Sequence, residues 1–223
     1  MANKVTVTKN GPYLVSGKVP LGKEISVVDK EDNPCKWEQG KKFPLKDGYA
    51  LCRCGQSKSK PYCDGSHVAC KFNGTETASN KKYLEQAEKY PGQEIDLTDA
   101  ESLCSSARFC HAGSGAWDLT KKSANPKAKK QAIEEACNCC SGRLVVWHKK
   151  TAIEPKFKPS ISVLEDSGAK VSGPLWVKGG IPIESEQGTK YEVRNRVTLC
   201  RCGKSTNKPF CDGSHIRAKF KDE

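Results

Sequence analysis

Three cysteines and one histidine recur at the same spacing in two places of the 223-residue chain. The stretch CRCGQSKSKPYCDGSH begins at Cys52, and CRCGKSTNKPFCDGSH begins at Cys200. In each copy a Cys-x-Cys pair is followed by eight residues, a third cysteine, three residues and the histidine. Thiolate and imidazole donors of this kind bind either tetrahedral zinc or an iron–sulfur cluster. Zinc fingers usually separate paired cysteines by two to four residues, so the one-residue gap fits them less well.

The residues around these donors are of types that turn the chain tightly. Cys63 and His67 are four residues apart, which places both on one face of a helical turn. Gly55 and Gly203 follow the Cys-x-Cys pairs and relieve steric limits where the backbone wraps closely around a bound group. The sequence therefore predicts two loops built to enclose a metal centre.

Five further cysteines lie between the two motifs, in LCSSARFCHAG and EEACNCCSGRLVVW. They are Cys104, Cys110, Cys137, Cys139 and Cys140. They are either ligands of another centre or buried, reduced thiols, which are common in protein cores, or a chance disulfide. Cys35 and Cys70 fall outside every pattern and are predicted to be plain thiols, and His148 to be a surface or packing residue.

Composition favours metal over disulfides. Only 36% of residues are hydrophobic, so the core is small for the chain length, and the 13 cysteines are an odd number. No apolar run approaches the about 20 residues of a membrane helix, and the N-terminus does not resemble a signal peptide. We expect a cytoplasmic, reducing environment and no membrane partner. The net charge of +12 comes mostly from lysines interleaved with glutamates, which indicates a solvated surface rather than a nucleic-acid interface.

The repeated pattern CxCxxSxxxPxCDGSH resembles the signature of the CDGSH iron–sulfur family, also called NEET proteins, and both copies match it throughout. The resemblance implies a 2Fe–2S cluster at each motif, with one iron on the Cys-x-Cys pair and the other on the third cysteine and the histidine. The implied ligands are Cys52, Cys54, Cys63 and His67 at the first site and Cys200, Cys202, Cys211 and His215 at the second. A neutral imidazole ligand raises the reduction potential and is readily lost to a proton.

The stretch CNCCSGRL resembles the CPSGRL end of a divergent, single-cluster ferredoxin-like module, with Cys140 in place of the proline. The typical ferredoxin run of Cys-x2-Cys-x2-Cys is absent from the sequence. The resemblance implies a third cluster, of 4Fe–4S or 3Fe–4S type. Its ligands would be Cys104, Cys110, Cys139 and, as the fourth, Cys137, with Cys140 or His111 as alternatives.

The elements that must position these residues also repeat. GPYLVSGKVPL, from Gly11, matches GPLWVKGGIPI, from Gly173, and each precedes one motif. Short β-branched runs at both ends predict strands, such as KVTVT, YLVSG, ISVVD, LWVKG and YEVRNRVTL. Between the repeats, KKYLEQAEKY and PKAKKQAIEEAC are helix-like in composition, with Ser123 or Asn125 as a cap and Pro126 in the first turn, and RLVVWHK predicts a strand.

These signals predict an α+β fold of three parts. They are a first β-rich repeat (1–78), a small α/β ferredoxin-like middle module (79–160) and a second β-rich repeat (161–223). Many members of the CDGSH family are homodimers with exchanged strands. The resemblance therefore implies that the two repeats pack as a pseudo-dimer within one monomeric chain.

The leading functional hypothesis is an iron–sulfur protein that acts in electron transfer, cluster transfer or redox sensing. Its partners would be redox proteins or cluster acceptors. A zinc-binding interaction module and a cluster-dependent reductase are the alternatives. The sequence contains no glycine-rich nucleotide fingerprint, nucleophile elbow or convincing acid–base pair, which favours a carrier over an enzyme.

Overall fold

A computed structural model describes residues 2–222 as an α+β fold with three sheets, as predicted. The strands are β1 (Lys4–Val7), β2 (Tyr13–Ser16), β3 (Leu21–Val28), β4 (Pro34–Lys42), β5 (Gly48–Leu51), β6 (Glu88–Tyr90), β7 (Asp96–Asp99), β8 (Leu144–His148), β9 (Thr151–Ile153), β10 (Ser160–Asp166), β11 (Val171–Lys178), β12 (Ile183–Ser185) and β13 (Arg196–Leu199). The helices are α1 (Ser66–Ala69), α2 (Tyr83–Gln86), α3 (Ala116–Lys121), α4 (Pro126–Asn138) and α5 (Ser214–Arg217). Two short 3-10 helices span Glu101–Leu103 and Phe109–His111.

The two repeats exchange strands. The first sheet has the order β12-β1-β2-β5, and the second has the order β13-β11-β10-β3-β4. Strand β12 of the second repeat pairs in parallel with β1, and β3 of the first repeat pairs in parallel with β10. Each pairing begins with an equivalent backbone hydrogen bond, from Val5 N to Pro182 O in one and from Ile161 N to Pro20 O in the other, both 2.9 Å long. This reciprocal exchange confirms the pseudo-dimer layout within one chain.

The burial of the strands reflects their position in these sheets. Val5 and Val7 alternate with more exposed residues in β1, as in a strand with one covered face. All eight residues of β11 are buried, because it lies inside its sheet between β10 and β13. The shared core of the two repeats therefore forms across the strand exchange.

The middle module has its own sheet and core. Strands β6, β7, β8 and β9 form an antiparallel sheet in that order, and α3 and α4 pack against it around Leu97 and Leu144. Asn125 caps α4 as predicted, since its side chain accepts hydrogen bonds from the amides of Lys127 and Ala128. Even α4, with 13 residues, is short, and no helix within residues 2–222 is long and apolar enough to cross a membrane.

Two predicted elements are wrong in extent. The helix-like stretch KKYLEQAEKY forms a single turn, α2, and then strand β6, because residues 88–90 pair with β7. In YEVRNRVTL only β13 is a strand. The preceding residues instead contact the middle module, where Glu192 accepts a hydrogen bond from Tyr83 N at 2.6 Å and Arg194 donates to Gly142 O at 2.5 Å.

Candidate metal centres

The four donors of the first motif lie as two pairs. Cys52 Sγ is 3.7 Å from Cys54 Sγ, and Cys63 Sγ is 3.4 Å from His67 Nδ1. The second motif has the same two distances, between the sulfurs of Cys200 and Cys202 and between Cys211 Sγ and His215 Nδ1. The structure thus brings all eight donors predicted from the two motifs into matching pairs.

These distances can be compared with known coordination lengths. With a metal–sulfur length of about 2.3 Å and a metal–nitrogen length of about 2.0–2.1 Å, two ligands of one tetrahedral ion lie about 3.5–3.8 Å apart. The Cys–Cys distances of 3.7 Å fall in this range and the Cys–His distances of 3.4 Å lie just below it, so each pair is close to the spacing of two ligands on one ion. Within residues 2–222, no three His, Cys, Asp or Glu side chains converge as a ready site for a single ion. The paired donor set fits a two-iron cluster.

Hydrogen bonds at the end of β5 fix the first loop. Cys52 N donates to Pro61 O, and Cys63 N donates to Ala50 O, each at 2.9 Å. The amides that follow two of the ligands point at their sulfurs, since Gly65 N lies 3.4 Å from Cys63 Sγ and Gln56 N lies 3.4 Å from Cys54 Sγ. Such N–H···S bonds favour the thiolate form that binds iron.

A buried arginine between the two cysteines anchors each loop, and the sequence analysis missed this role. Arg53 donates to Thr8 O at 2.8 Å and to Gly74 O at 2.6 Å, and Arg201 donates to Gly173 O at 2.7 Å. Each guanidinium also lies over a phenylalanine ring. The repetition of CRC in both copies is the signal that could have indicated it.

The two Cys-x-Cys turns pack against each other. Gly55 and Gly203 have positive φ angles of 78° and 77°. A Cβ atom on Gly55 would lie 2.8 Å from Cys202 O, and one on Gly203 would lie 2.6 Å from Cys54 O. Both positions therefore require glycine for conformation and for space, and the two candidate centres are direct neighbours.

The two sites differ in burial. Cys63 and His67 are half-buried at the first site, whereas Cys211 and His215 are only 2% and 3% exposed at the second. The middle module supplies this cover, since a Cβ on Gly213 would meet the side chain of Ser106. Burial lowers the pKa of the His215 imidazole to about 4, although the nearby Asp166 carboxylate partly opposes the shift.

Two of the middle cysteines, Cys104 and Cys139, act electrostatically on two others, Cys110 and Cys140. Burial, with smaller contributions from the charges of Cys139 and Cys104, raises the pKa of the Cys110 thiol to about 12. Burial also raises the pKa of Cys140 to about 12, again with contributions from Cys139 and Cys104. Cys140 is completely buried, with its sulfur 3.3 Å from Ser105 Oγ, and its charge also acts on Cys211 of the second site. These buried thiols need a cation, such as iron, to become thiolates.

The structure does not bring Cys137 or His111 into this group. Cys137 lies in α4 with its sulfur 3.9 Å from Ile153 O. Burial raises the pKa of its thiol, Arg196 partly opposes this shift and Glu154 adds to it, and no other cysteine contributes. His111 is exposed beside the ring of Trp117. Of the proposed fourth ligands, Cys140 is therefore the one whose thiol is affected by the charges of Cys104 and Cys139.

Arg196 of the second repeat positions the CNCC segment, which the sequence analysis also missed. This arginine is 1% exposed, and its Nη1 donates to the carbonyl oxygens of Ala136, Cys137 and Cys139 at 2.7–2.9 Å. These carbonyls end α4, where a cation is favourable. The isolated sequence offers no signal for this contact, because it joins residues about 60 positions apart.

Comparison with protein-family models matches three parts of the chain. The family described as iron-binding zinc finger, CDGSH type, matches residues 10–68 and 172–216. The family described as divergent 4Fe-4S mono-cluster matches residues 90–149. No curated protein and no solved structure matches the chain. The three matched segments follow one another in the predicted order, with the divergent domain between the two CDGSH domains.

Proposed function

We propose that this chain, which is a CDGSH-type iron–sulfur protein with a divergent 4Fe–4S domain between its two CDGSH domains, carries single electrons between protein partners. The observation that carries the proposal is the continuous arrangement of the three cysteine groups. A Cβ on Gly55 would meet Cys202 between the two CDGSH sites, and Cys140 of the middle group acts electrostatically on Cys211 of the second site. A row of neighbouring redox centres is suited to moving electrons within one chain.

The proposed ligands follow from the donor groups. The paired donors of each CDGSH motif would hold one 2Fe–2S cluster, and the middle group would hold a 4Fe–4S cluster, or a 3Fe–4S cluster if only three cysteines bind. By site, these residues are Cys52, Cys54, Cys63 and His67; Cys200, Cys202, Cys211 and His215; and Cys104, Cys110, Cys139 and Cys140. When bound, such clusters supply one-electron redox chemistry.

The protein's own residues would set the properties of each centre. Amide hydrogen bonds to the sulfurs stabilise negative charge at the ligands, and burial controls the access of water and protons. Arg53 and Arg201 hold the two loops in shape by binding carbonyl oxygens of the surrounding backbone. Rigid ligands of this kind favour repeated electron exchange over rearrangement.

A second candidate function is transfer of the first cluster to an acceptor protein. The observation that favours it is the partial exposure of Cys63 and His67, which form one of the two ligand pairs at the first site. An acceptor thiolate can approach this pair from solvent, whereas Cys211 and His215 are covered. Under this alternative, incubation with a metal-free acceptor would remove iron from the first site only.

The first experiment measures iron, sulfide and zinc per chain in anaerobically purified protein and records its visible absorbance spectrum. Seven or eight irons per chain, with matching sulfide, are expected for three clusters, and about four would support the CDGSH sites alone. Reductive titration should then take up about one electron per cluster. Abundant zinc without sulfide would overturn the proposal in favour of a zinc-binding module.

A further inference from the structure

An open groove of about 600 Å³ lies where the two CDGSH loops meet. Cys54 of the first site lines it, together with Gly203, which directly follows Cys202 of the second site. The segment after α1 contributes six further residues to the lining, which are Cys70, Lys71, Phe72, Asn73, Thr75 and Thr77. The groove therefore gives access to the ligand turns of both sites from one side of the protein.

The charged residues that line this groove are all positive. They are Lys71, Lys204 and Lys208, and no aspartate or glutamate within residues 2–222 lines it. None of these three lysines forms a salt bridge with any residue between positions 2 and 222. Lys208 Nζ instead donates to Ser205 O at 2.6 Å. A concave surface of one charge sign concentrates its field and attracts oppositely charged partners.

We propose that this groove docks the acidic face of a one-electron carrier protein. The inference rests on the proposed electron-carrier function and names the class of partner and its binding surface. In the docked complex the donor protein loses one electron and the acceptor gains it, with no covalent bond made or broken. Cys54, which lines the groove but is only 6% exposed, then lies beneath the docked partner, so that the electron enters or leaves beside the first site.

The lining of the groove favours a protein over a small ligand. Pockets for small molecules are mostly apolar, whereas this one is lined largely by lysine, threonine, serine and asparagine, with Phe72 as an aromatic residue. Complexes of electron-transfer proteins are small and transient, and their charges mainly set the association rate. A basic rim around a cluster ligand has the properties that such an interface requires.

The test is the rate at which a reduced, acidic 2Fe–2S ferredoxin transfers electrons to the cluster-loaded protein, measured by stopped flow at several NaCl concentrations. The double variant Lys71→Glu/Lys204→Glu reverses two groove charges. We expect its second-order rate at low salt to fall at least about tenfold, and its salt dependence to weaken or reverse. Backbone contacts of the loops are retained, because only exposed or half-exposed side chains change.

The matched control is Lys149→Glu/Lys150→Glu, at the exposed turn between β8 and β9. It changes the net charge by the same amount, and Lys149 shares the positive φ of Lys71. We expect less than about a twofold change for this control. Equal losses in the two double variants would show that net charge alone acts and would overturn the groove as the docking site.

Thiol labelling gives a readout that does not depend on electron transfer. Cys70 is exposed in the groove, and Cys35 is exposed on β4 outside it. Bound ferredoxin at low salt should slow the alkylation of Cys70, measured by peptide mass spectrometry, and leave that of Cys35 unchanged. Unchanged labelling of Cys70 overturns the proposal, as does equal protection by millimolar inorganic phosphate, which would make the groove a small-anion site.

Failure of this inference is distinguishable from failure of the proposed function. Dithionite is small and needs no docking surface. If dithionite does not reduce the loaded protein reversibly, the electron-carrier function itself is wrong. If it does, and the two lysine variants still behave alike with ferredoxin, only the docking groove is wrong.

Discussion

The two CDGSH sites have the same donors and the same donor distances but opposite surroundings. At the first site His67 is half-buried, and a Cβ on Gly65 would meet nothing within 4 Å. At the second site His215 is buried, and a Cβ on Gly213 would meet Ser106 of the middle module. The motif therefore specifies which atoms can bind metal, whereas the neighbouring module decides how easily solvent and partners reach them.

The two loops also differ in the hydrogen bonds that they receive from the other repeat. The Tyr13 hydroxyl is buried and lies 2.8 Å from Cys200 O and 3.0 Å from Pro209 O. In the second repeat the matching position of the Gly-Pro arm is Leu175, which has no hydroxyl to offer to the first loop. Two nearly identical motifs thus have unequal support, and the second loop has more of it.

The largest expected effect tests the feature that the two sites share, their mutual packing. Gly55→Ala and Gly203→Ala each place a Cβ under 3.0 Å from the other loop's carbonyl, on a backbone with positive φ. We expect each to lower the free energy of unfolding by about 2–4 kcal/mol, measured by denaturation of the loaded protein in urea. Iron should be lost from both sites in each variant.

The control for this packing test is Gly188→Ala, which has a φ of 93° but meets nothing within 4 Å. Backbone strain alone should cost this variant about 1 kcal/mol. If the three alanine variants were equally stable, the two Cys-x-Cys turns would not be in tight contact, and the sites would have to be treated as independent.

Acid sensitivity is the next largest expected difference between the sites. Burial disfavours the charged imidazolium and lowers the pKa of His215 to about 4, so a lower pH is needed to protonate it and release iron. Cluster absorbance should therefore fall in two steps on acidification, and the cluster at the buried second site should be lost at the lower pH. His67→Cys should move the first step to lower pH, and His215→Cys the second.

The same histidine variants should lower the potential of the site they change, because a thiolate stabilises the oxidised cluster more than a neutral imidazole does. The measurement is a redox titration of each variant followed by visible absorbance. If acid lability and potential were both unchanged in the double variant, histidine ligation at both sites would be disproved. If the protein without substitutions lost its cluster absorbance in a single step on acidification, the two sites would not differ in their access to protons.

A smaller effect isolates the cover that the middle module provides. Gly65→Ala and Gly213→Ala introduce the same group at similar positive φ angles of 89° and 80°. Only the second meets Ser106, so it should destabilise the protein by about 1 kcal/mol more than the first in urea denaturation. The combined change Gly213→Ala/Ser106→Gly should recover part of this difference, and no recovery would place the clash elsewhere.

The smallest expected effect concerns the support from Tyr13. Tyr13→Phe removes the hydroxyl shared by Cys200 O and Pro209 O and should cost about 1 kcal/mol. Because both carbonyl oxygens that accept from the hydroxyl belong to the second loop, iron loss during a chelator challenge should accelerate more at the second site than at the first. The control is Leu175→Ala, which changes the packing of the matching arm but removes no hydrogen bond. If Tyr13→Phe accelerated iron loss equally at both sites, the hydroxyl would not act specifically on the second loop.

The sequence alone determined the features that depend on local spacing. The eight CDGSH donors were identified from a pattern of sixteen residues, because ligands within one tight loop must lie close together. The strands at both ends, the cap at Asn125 and the three-part order likewise follow from short stretches of chain. The division at residues 78 and 160 and the cluster assignments stay predictions.

Only the tertiary structure decided the features that join distant residues. It decides that β3 and β12 are the strands that exchange, brings Arg196 to the end of α4, and leaves Cys140 rather than Cys137 under the influence of Cys104 and Cys139. It also covers one of two equal motifs and leaves the other open. The physical reason is that burial and access arise from contacts between segments far apart in the chain. A local motif does not specify which distant segment packs against it.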